Sequence, residues 1–169
     1  MTLQELAHKE DVLHSKTIDL YHKLQTTEIE EQLKAVFIEY KEVHRIYADF
    51  SAREIEALKR GLFIQWYSLI EPNYLTGISD LDEGAENKVI QNLNELISTY
   101  KTDNELNWML NYYSNWDWVF KRHKSFQNFD TNIVNEQNNH LPEKIDKEEM
   151  KLRGQMGKYW NSLTKFNIA

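Results

Sequence analysis

The chain is 169 residues long, with 41% hydrophobic residues, 28% charged residues and a formal net charge of −7. This length suits a single domain with a sizeable core, and the composition is typical of a folded globular protein. The absence of cysteine excludes disulfides, thiolate catalysis and cysteine-ligated metal centres, and the acidic balance argues against sequence-independent binding to nucleic acid, which depends on Lys and Arg neutralising phosphates.

Signals for membrane insertion or export are missing from the sequence. No apolar run approaches the ~20 residues that a transmembrane helix needs. Residues 1–16 mix apolar and charged side chains and lack the apolar core of a signal peptide. We therefore expect a cytoplasmic protein that does not insert into a membrane.

Helix-start patterns recur along the chain. In a capping box, a Ser or Thr followed three residues later by Glu satisfies backbone N–H groups that the first turn of a helix leaves unpaired. The pattern occurs at Thr2/Glu5, Thr27/Glu30, Ser51/Glu54 and Thr102/Glu105, with an acidic version at Asp146/Glu149. No segment alternates like a strand. The sequence predicts one all-α domain, a compact bundle of six to seven amphipathic helices, with a short α-solenoid-like helical array as the alternative.

The first two predicted helices have clear apolar stripes. The first covers about residues 3–24, and two polar residues, Glu10 and Thr17, interrupt its stripe. The second covers about residues 28–50, where apolar residues recur every three or four positions, as antiparallel packing in a bundle requires.

The third predicted helix, about residues 52–71, is apolar on most sides and is expected at the centre of the bundle. A strip of Gly61, Gln65, Ser68 and Glu71 follows one side of it. In the favoured structural interpretation, Gly61 admits a neighbouring helix and the polar side chains hydrogen-bond across it, with the polar residues of the first helix as partners. The functional alternative is that the polar strip forms the floor of a small-ligand pocket.

Pro72 is expected to end the third helix, because the residue before a proline is disfavoured in helical geometry. The connection that follows is expected to turn Tyr74, Leu75 and Ile78 towards the core. A fourth helix is predicted over about residues 85–101 from its regular apolar stripe.

Six aromatic rings crowd the next predicted helix. They are Trp108, Tyr112, Tyr113, Trp116, Trp118 and Phe120. A continuous helix would place Trp118 on its polar, outward side, whereas a break near Ser114 and Asn115 would turn that ring inward. The break is favoured, because Ser and Asn side chains compete for backbone hydrogen bonds.

The C-terminal part begins with a polar segment. Residues 127–145 are rich in Asn and Gln and are predicted to form a surface loop. The last helix, about residues 147–165, contains Gly154 and Gly157. Each glycine costs about 1 kcal/mol relative to alanine inside a helix. Both therefore predict close packing or a kink, with a hinge as the alternative.

Histidines give little support for chemistry. His8, His14 and His22 lie on different sides of the first helix and do not converge on one ion. His44 flanks the apolar stripe of the second helix, where a hydrogen-bonded core position is favoured over a role in a ligand pocket. The HExxH motif, phosphate-binding glycine loops and the GxSxG elbow are absent from the sequence. We predict no metal, no cofactor and no catalytic residue, and an enzyme is the less favoured class.

Three functional hypotheses remain. The first is a non-catalytic protein–protein interaction module in which Trp108, Tyr112 and Trp118 contact a partner protein, because aromatic anchors dominate many interfaces. The second is an immunity- or antitoxin-type inhibitor that binds a basic partner through its acidic surface. The third is a helical-bundle enzyme that depends on a metal or small ligand, with His44, Gln65, Ser68 and Glu71 as pocket candidates. Neither the partner's identity nor the oligomeric state follows from the sequence.

Overall fold

The computed structural model describes residues 1–116, 118–121, 123, 142 and 145–163, so most of the polar loop predicted at 127–145 lies outside the described residues. No strand occurs in these ranges, and the predicted all-α fold is confirmed. None of the helices described there is long and apolar enough to cross a membrane. The elements are α1 (Leu3–Tyr21), α2 (Thr27–Phe50), α3 (Ile55–Ile70), α4 (Asn73–Thr76), α5 (Glu83–Ser98), α6 (Asn104–Tyr113), a 3₁₀ turn (Ser114–Trp116), α7 (Trp118–Lys121), α8 (Lys147–Lys151) and α9 (Gly154–Ser162).

The helices form a closed bundle. Helix α2 packs against both α1 and α3, α5 packs on α2 and α3, and α9 returns to pack on α1 and α3. The units of an α-solenoid contact only their neighbours along the chain. The contact between α9 and α1 therefore favours the compact bundle over the helical array.

Two of the predicted helix starts are confirmed. Thr2 and Glu5 form the capping box of α1, with the Glu5 backbone N–H donating to the Thr2 hydroxyl over 3.2 Å. The Asp146 carboxylate accepts from the backbone N–H groups of Glu148 and Glu149, both at 3.0 Å, and caps α8.

The other three predicted starts are wrong in detail. Thr26, not Thr27, caps α2, and Asp103, not Thr102, caps α6. In both cases the preceding or following residue offers an equally suitable side-chain oxygen, so composition alone does not choose between them. Ser51 ends α2 instead of starting α3, and its hydroxyl donates to a backbone carbonyl of α2.

Helix α3 is the centre of the bundle, as predicted. Every residue from Ala57 to Trp66 is buried, so this stretch is covered on all sides. Gly61 admits α5, because a Cβ built on Gly61 would lie 3.1 Å from Cγ2 of Val89. The predicted close approach of a neighbouring helix at Gly61 is confirmed.

The connection after α3 differs in part from its prediction. Ile78 is buried, but Tyr74 and Leu75 are 49% and 42% exposed, so the prediction that they turn inward is wrong. Helix α4 forms a single turn here and packs against α1. The Tyr74 ring lies edge-on to the Tyr21 ring, and the Leu75 carbonyl oxygen lies 3.1 Å from Nε2 of His14.

The C-terminal segment contains two helices, α8 and α9, instead of the single helix predicted over about residues 147–165. Gly154, the first residue of α9, has a φ of +61°, in the left-handed region that favours glycine. A Cβ on Gly157 would lie 1.7 Å from the carbonyl oxygen of Met150, at the end of α8. The two glycines therefore serve a tight bend and close packing, which is the predicted interpretation.

Candidate functional site

Aromatic rings join α3, α6 and α9. The Trp66 side chain of α3 is fully buried. Its ring centroid lies 4.6–6.1 Å from those of Tyr113, Trp116, Tyr159, Tyr112, Phe63 and Tyr67. Most of the pairs are offset or edge-to-face, and such contacts contribute about 0.5–1.5 kcal/mol each beyond simple burial. Tyr113 of the aromatic segment is therefore core, and Tyr112 and Trp116 pack at the edge of the same cluster.

The chain breaks where the sequence predicts, but the consequence for Trp118 is different. Helix α6 ends at Tyr113 and the 3₁₀ turn follows. The Ser114 hydroxyl and the Asn115 side-chain amide donate to backbone carbonyls of α6, over 2.6 and 2.8 Å. Helix α7 then turns Val119 towards the core and leaves Trp118 50% exposed. The prediction that the break turns Trp118 inward is wrong.

The three predicted contact residues lie in three different environments. Trp108 is only 7% exposed, and its ring packs edge-on against Trp160 with centroids 4.8 Å apart. Tyr112 is half-buried, and its hydroxyl lies 2.7 Å from the Tyr159 hydroxyl. Trp118 is the exposed member of the set. Only Tyr112 and Trp118 are therefore accessible to a partner.

A patch of accessible rings lies at the edge of the buried cluster. Tyr67, Tyr112, Trp116 and Tyr159 are half-buried there, and Trp118 follows Trp116 by two residues. We call the four half-buried rings the aromatic surface. Because all four pack against Trp66, their positions are fixed by the core before any partner binds.

A cleft of about 620 Å³ opens where α3 ends. Residues 68–73 of α3 and its C-terminal turn form one wall, and residues 78–81 with Glu86 of α5 form the other. Three carboxylates, those of Glu71, Asp80 and Glu86, line it, while no Lys or Arg is among the described residues that do so. We call this feature the acidic cleft.

Glu71 connects the acidic cleft to the aromatic surface. Burial and then the negative charge of Glu71 raise the pKa of Tyr67, which lies one helical turn earlier. Burial, the hydrogen bond with Tyr112 and the nearby charges, Glu71 among them, likewise raise the pKa of Tyr159. Tyr67 also directly precedes Ser68 and Leu69, which line the acidic cleft, so the acidic cleft and the aromatic surface adjoin along α3.

The predicted pocket residues separate into two groups. Ser68 and Glu71 line the acidic cleft. Gln65 and His44 are buried, with their Nε2 atoms 3.2 Å apart, and the Gln65 amide also donates to the Glu86 carbonyl over 3.2 Å. Gln65 therefore links α3 to α2 and α5, as predicted for the polar strip. The Ser68 hydroxyl instead donates to the Gln65 carbonyl of its own helix over 2.8 Å, so the prediction that it bonds across to a neighbouring helix is wrong.

A second polar cluster surrounds Glu10, which is 1% exposed. The hydroxyls of Tyr47 and Tyr40 donate to its carboxylate over 2.5 and 3.1 Å, and the Gln155 backbone N–H donates over 3.2 Å. The expected pairing of Glu10 with the polar strip of α3 is wrong, because its partners lie on α2 and α9. A Cβ on Gly154 would lie 2.5 Å from a Glu10 oxygen, so only glycine leaves room for this carboxylate.

An ion-pair cluster lies beside the Glu10 cluster and joins α9 to α3 and α6. The Arg153 guanidinium binds Glu56 through two hydrogen bonds and Glu105 through two more, the latter at 2.5 and 2.9 Å. Lys59 donates to Glu105 and Asp103 over 2.5 and 2.7 Å. Burial alone would raise the pKa of Glu105, but the hydrogen bonds and charges of Arg153 and Lys59 outweigh it and lower that pKa to about 2.

Sequence reasoning missed this ion-pair cluster entirely. Lys59 and Arg60 are buried in α3 although they read as surface residues, and Arg153 precedes a glycine without any motif. The sequence contained only a weak indication of this cluster. Lys59 and Arg60 are adjacent cations on the helix that its neighbours cover most, and buried cations need acidic partners.

Among the described residues, no group of three or more His, Asp or Glu side chains is placed to hold an ion. No protein-family model, curated protein or solved structure matches the chain. The accessible rings and the acidic cleft are therefore the features from which a function can be inferred.

Proposed function

We propose that this chain is a non-catalytic, cytoplasmic protein-interaction module that binds a basic segment of a partner protein. The observation that carries the proposal is Trp118, which is half-exposed and follows Trp116 of the aromatic surface by two residues, while Tyr67 of the same surface directly precedes the lining of the acidic cleft. Trp and Tyr are over-represented among the residues that dominate binding energy. Half-buried rings already held by the core lose little conformational freedom on binding, which favours affinity.

The charge distribution supports a basic partner. The chain carries a net charge of −7, and three carboxylates line the acidic cleft. A Lys or Arg side chain placed there would contact a carboxylate and could extend over a ring face, an interaction of about 0.5–2 kcal/mol. An immunity- or antitoxin-type inhibitor is a special case of this proposal, in which the basic partner is a toxin.

The enzyme hypothesis receives less support. His44 is fully buried, and its ring lies against Gln65 in the core instead of lining the acidic cleft. A general acid or base must come within hydrogen-bond reach of a substrate. The proposal therefore assigns His44 and Gln65 a structural role.

A display library of random peptides, selected on the purified protein, tests the proposal. We expect the enriched peptides to contain Lys or Arg next to an apolar residue, with an affinity that falls as salt rises. We expect Trp118→Ala to weaken their binding by about 30-fold, the effect of losing one interface hot spot. Tyr100→Ala is the matched control, because Tyr100 is 93% exposed but lies outside the aromatic surface.

Two results would contradict the proposal. One is enrichment of acidic or uncharged peptides whose binding ignores ionic strength. The other is equal binding of the enriched peptides to the wild type and to the Trp118→Ala variant. The first result would remove the basic partner, and the second would leave the exposed ring without a role in binding.

A further inference from the structure

The contact between α1 and α9 is built around a single carboxyl group. Glu10 of α1 receives its hydrogen bonds from Tyr40 and Tyr47 of α2 and from the Gln155 backbone at the start of α9. The Gln155 side chain extends the contact, donating to the Tyr40 hydroxyl over 2.7 Å and to the Thr76 carbonyl over 2.5 Å. The docking of α9 therefore depends on the state of Glu10.

No Lys, Arg or His in the part of the chain that the structure describes forms an ion pair with Glu10. The Arg60 guanidinium of α3 donates to Glu56 over 2.7 Å, to the Leu3 carbonyl over 2.8 Å and to the Tyr47 hydroxyl over 3.5 Å. Its charge lowers the pKa of Glu10, but it is hydrogen-bonded to Tyr47 and not to Glu10 itself. The hydrogen-bond donors and the N-terminus of α9 favour the ionised form. Complete removal of the carboxyl group from water opposes it.

We propose that Glu10 makes the docking of α9 sensitive to pH: α9 is held firmly while Glu10 is uncharged and is held more weakly once Glu10 ionises. The inference stands independently of the proposed function. The docking of α9 nevertheless affects the proposed binding surface, because α9 carries Tyr159, one of the rings of the aromatic surface.

The direction follows from proton linkage. Burial raises the pKa of Glu10 to about 7, against the opposing effects of Tyr47, the Gln155 backbone, Arg60 and Tyr40. A carboxyl group whose pKa is higher in the docked state than in the open state binds its proton more tightly when docked. The contribution of Glu10 to the free energy of docking is therefore complete below its ordinary pKa of 4.5. That contribution is lost as the pH rises to about 7.

Two other groups near α9 titrate with the opposite sign. His14 of α1 is half-buried. Burial, followed by the charge of Lys158 on α9, lowers the pKa of His14. The contribution of His14 to the free energy of docking is therefore lost as the pH falls through 6.5. Glu105, bound to Arg153, loses its contribution only below about pH 4.5, as the pH falls towards about 2. The Asp11–Lys158 ion pair, at 2.8 Å, also joins α1 to α9. A comparison between variants at equal pH is needed to separate Glu10 from these groups.

Hydrogen exchange of the α9 backbone amides tests the inference, with Glu10→Gln as the uncharged reference. At each pH the intrinsic exchange rates of the two proteins are equal, so the ratio of observed rates reports the difference in opening. We expect this ratio of wild type to Glu10→Gln to rise by about 50-fold between pH 5 and pH 8 and to level off above pH 7. Glu39→Gln, an exposed glutamate in α2, is the matched control, and we expect its ratio to stay constant.

A wild-type ratio that stays constant from pH 5 to pH 8 would overturn the inference. The carboxyl ¹³C resonance of Glu10 in the wild-type protein provides a second measurement that does not depend on how the variant folds. An inflection near pH 7 is expected, whereas an inflection between pH 4 and pH 5 would show that ionisation is complete before neutral pH and would also overturn it.

Discussion

Replacing Gly157 with alanine is expected to lower the free energy of unfolding by about 3 kcal/mol, because the added methyl group has no space. Its Cβ would lie 1.7 Å from the carbonyl oxygen of Met150 and 2.7 Å from the Met150 carbonyl carbon. These are backbone atoms, so no side-chain rotation relieves the overlap. Helix α9 must move away from α8 instead, and that movement would disturb the contacts of Arg153 and Gln155.

Urea unfolding followed by circular dichroism measures this effect, and Gly84→Ala is the matched control. Gly84 is also a helical glycine, but a Cβ there meets only a side-chain oxygen of Asp82, at 3.2 Å. Its replacement is expected to change stability by less than about 1 kcal/mol, because alanine is the better helix former. Equal stabilities for the two variants would show that α8 and α9 do not pack as closely as described.

Replacing Arg153 with methionine is expected to cost about 3 kcal/mol, because it removes the cation shared by two carboxylates that are mostly buried. The Arg153 side chain is 6% exposed, and those of Glu56 and Glu105 are 28% and 26% exposed. Methionine fills much of the volume, so the loss reflects charge and hydrogen bonds more than packing. Lys59 and Arg60 compensate in part, which keeps the expected loss at the lower end of the range for broken buried ion pairs.

Arg45→Met is the matched control for Arg153→Met. Arg45 also binds two carboxylates, those of Glu42 and Asp82, but its side chain is 47% exposed. Surface pairs of this kind contribute about 0–1 kcal/mol, so the two variants should differ clearly in their urea midpoints. The wild type should also lose stability as the pH falls from 4.5 towards 2, where Glu105 becomes protonated, and the Arg153 variant should lose less.

Local patterns in the sequence predicted the architecture well. The apolar periodicity of α2 and the surrounded position of α3 follow from residues close together in the chain, as does the break after Tyr113. Gly61 and Gly157 correctly indicated close approach, because a glycine inside a helix is costly unless packing requires it. The caps shifted by a residue at Thr26 and Asp103, where neighbouring side chains were equally suitable.

Features that depend on distant pairing could not be predicted. Glu10 read as an interruption of an apolar stripe, yet its partner Gln155 lies 145 residues away along the chain. Arg153 and Glu56 are separated by 97 residues. The side on which Trp118 lies depends on the geometry of the 3₁₀ turn, which the helical period does not specify. Burial of a charged residue is a tertiary property, and only its need for a partner is visible locally.

The central claim is that the aromatic surface and the acidic cleft bind a basic segment together. The indole N–H signals of the five tryptophans, followed by NMR during titration with a selected Lys- or Arg-containing peptide, test this claim most directly. We predict shifts for the indoles of Trp118 and Trp116 and for the backbone amides of Ser79 and Asp80, with little change at buried Trp108. Shifts confined to another face of the bundle, with Trp118 and Asp80 unchanged, would contradict the account.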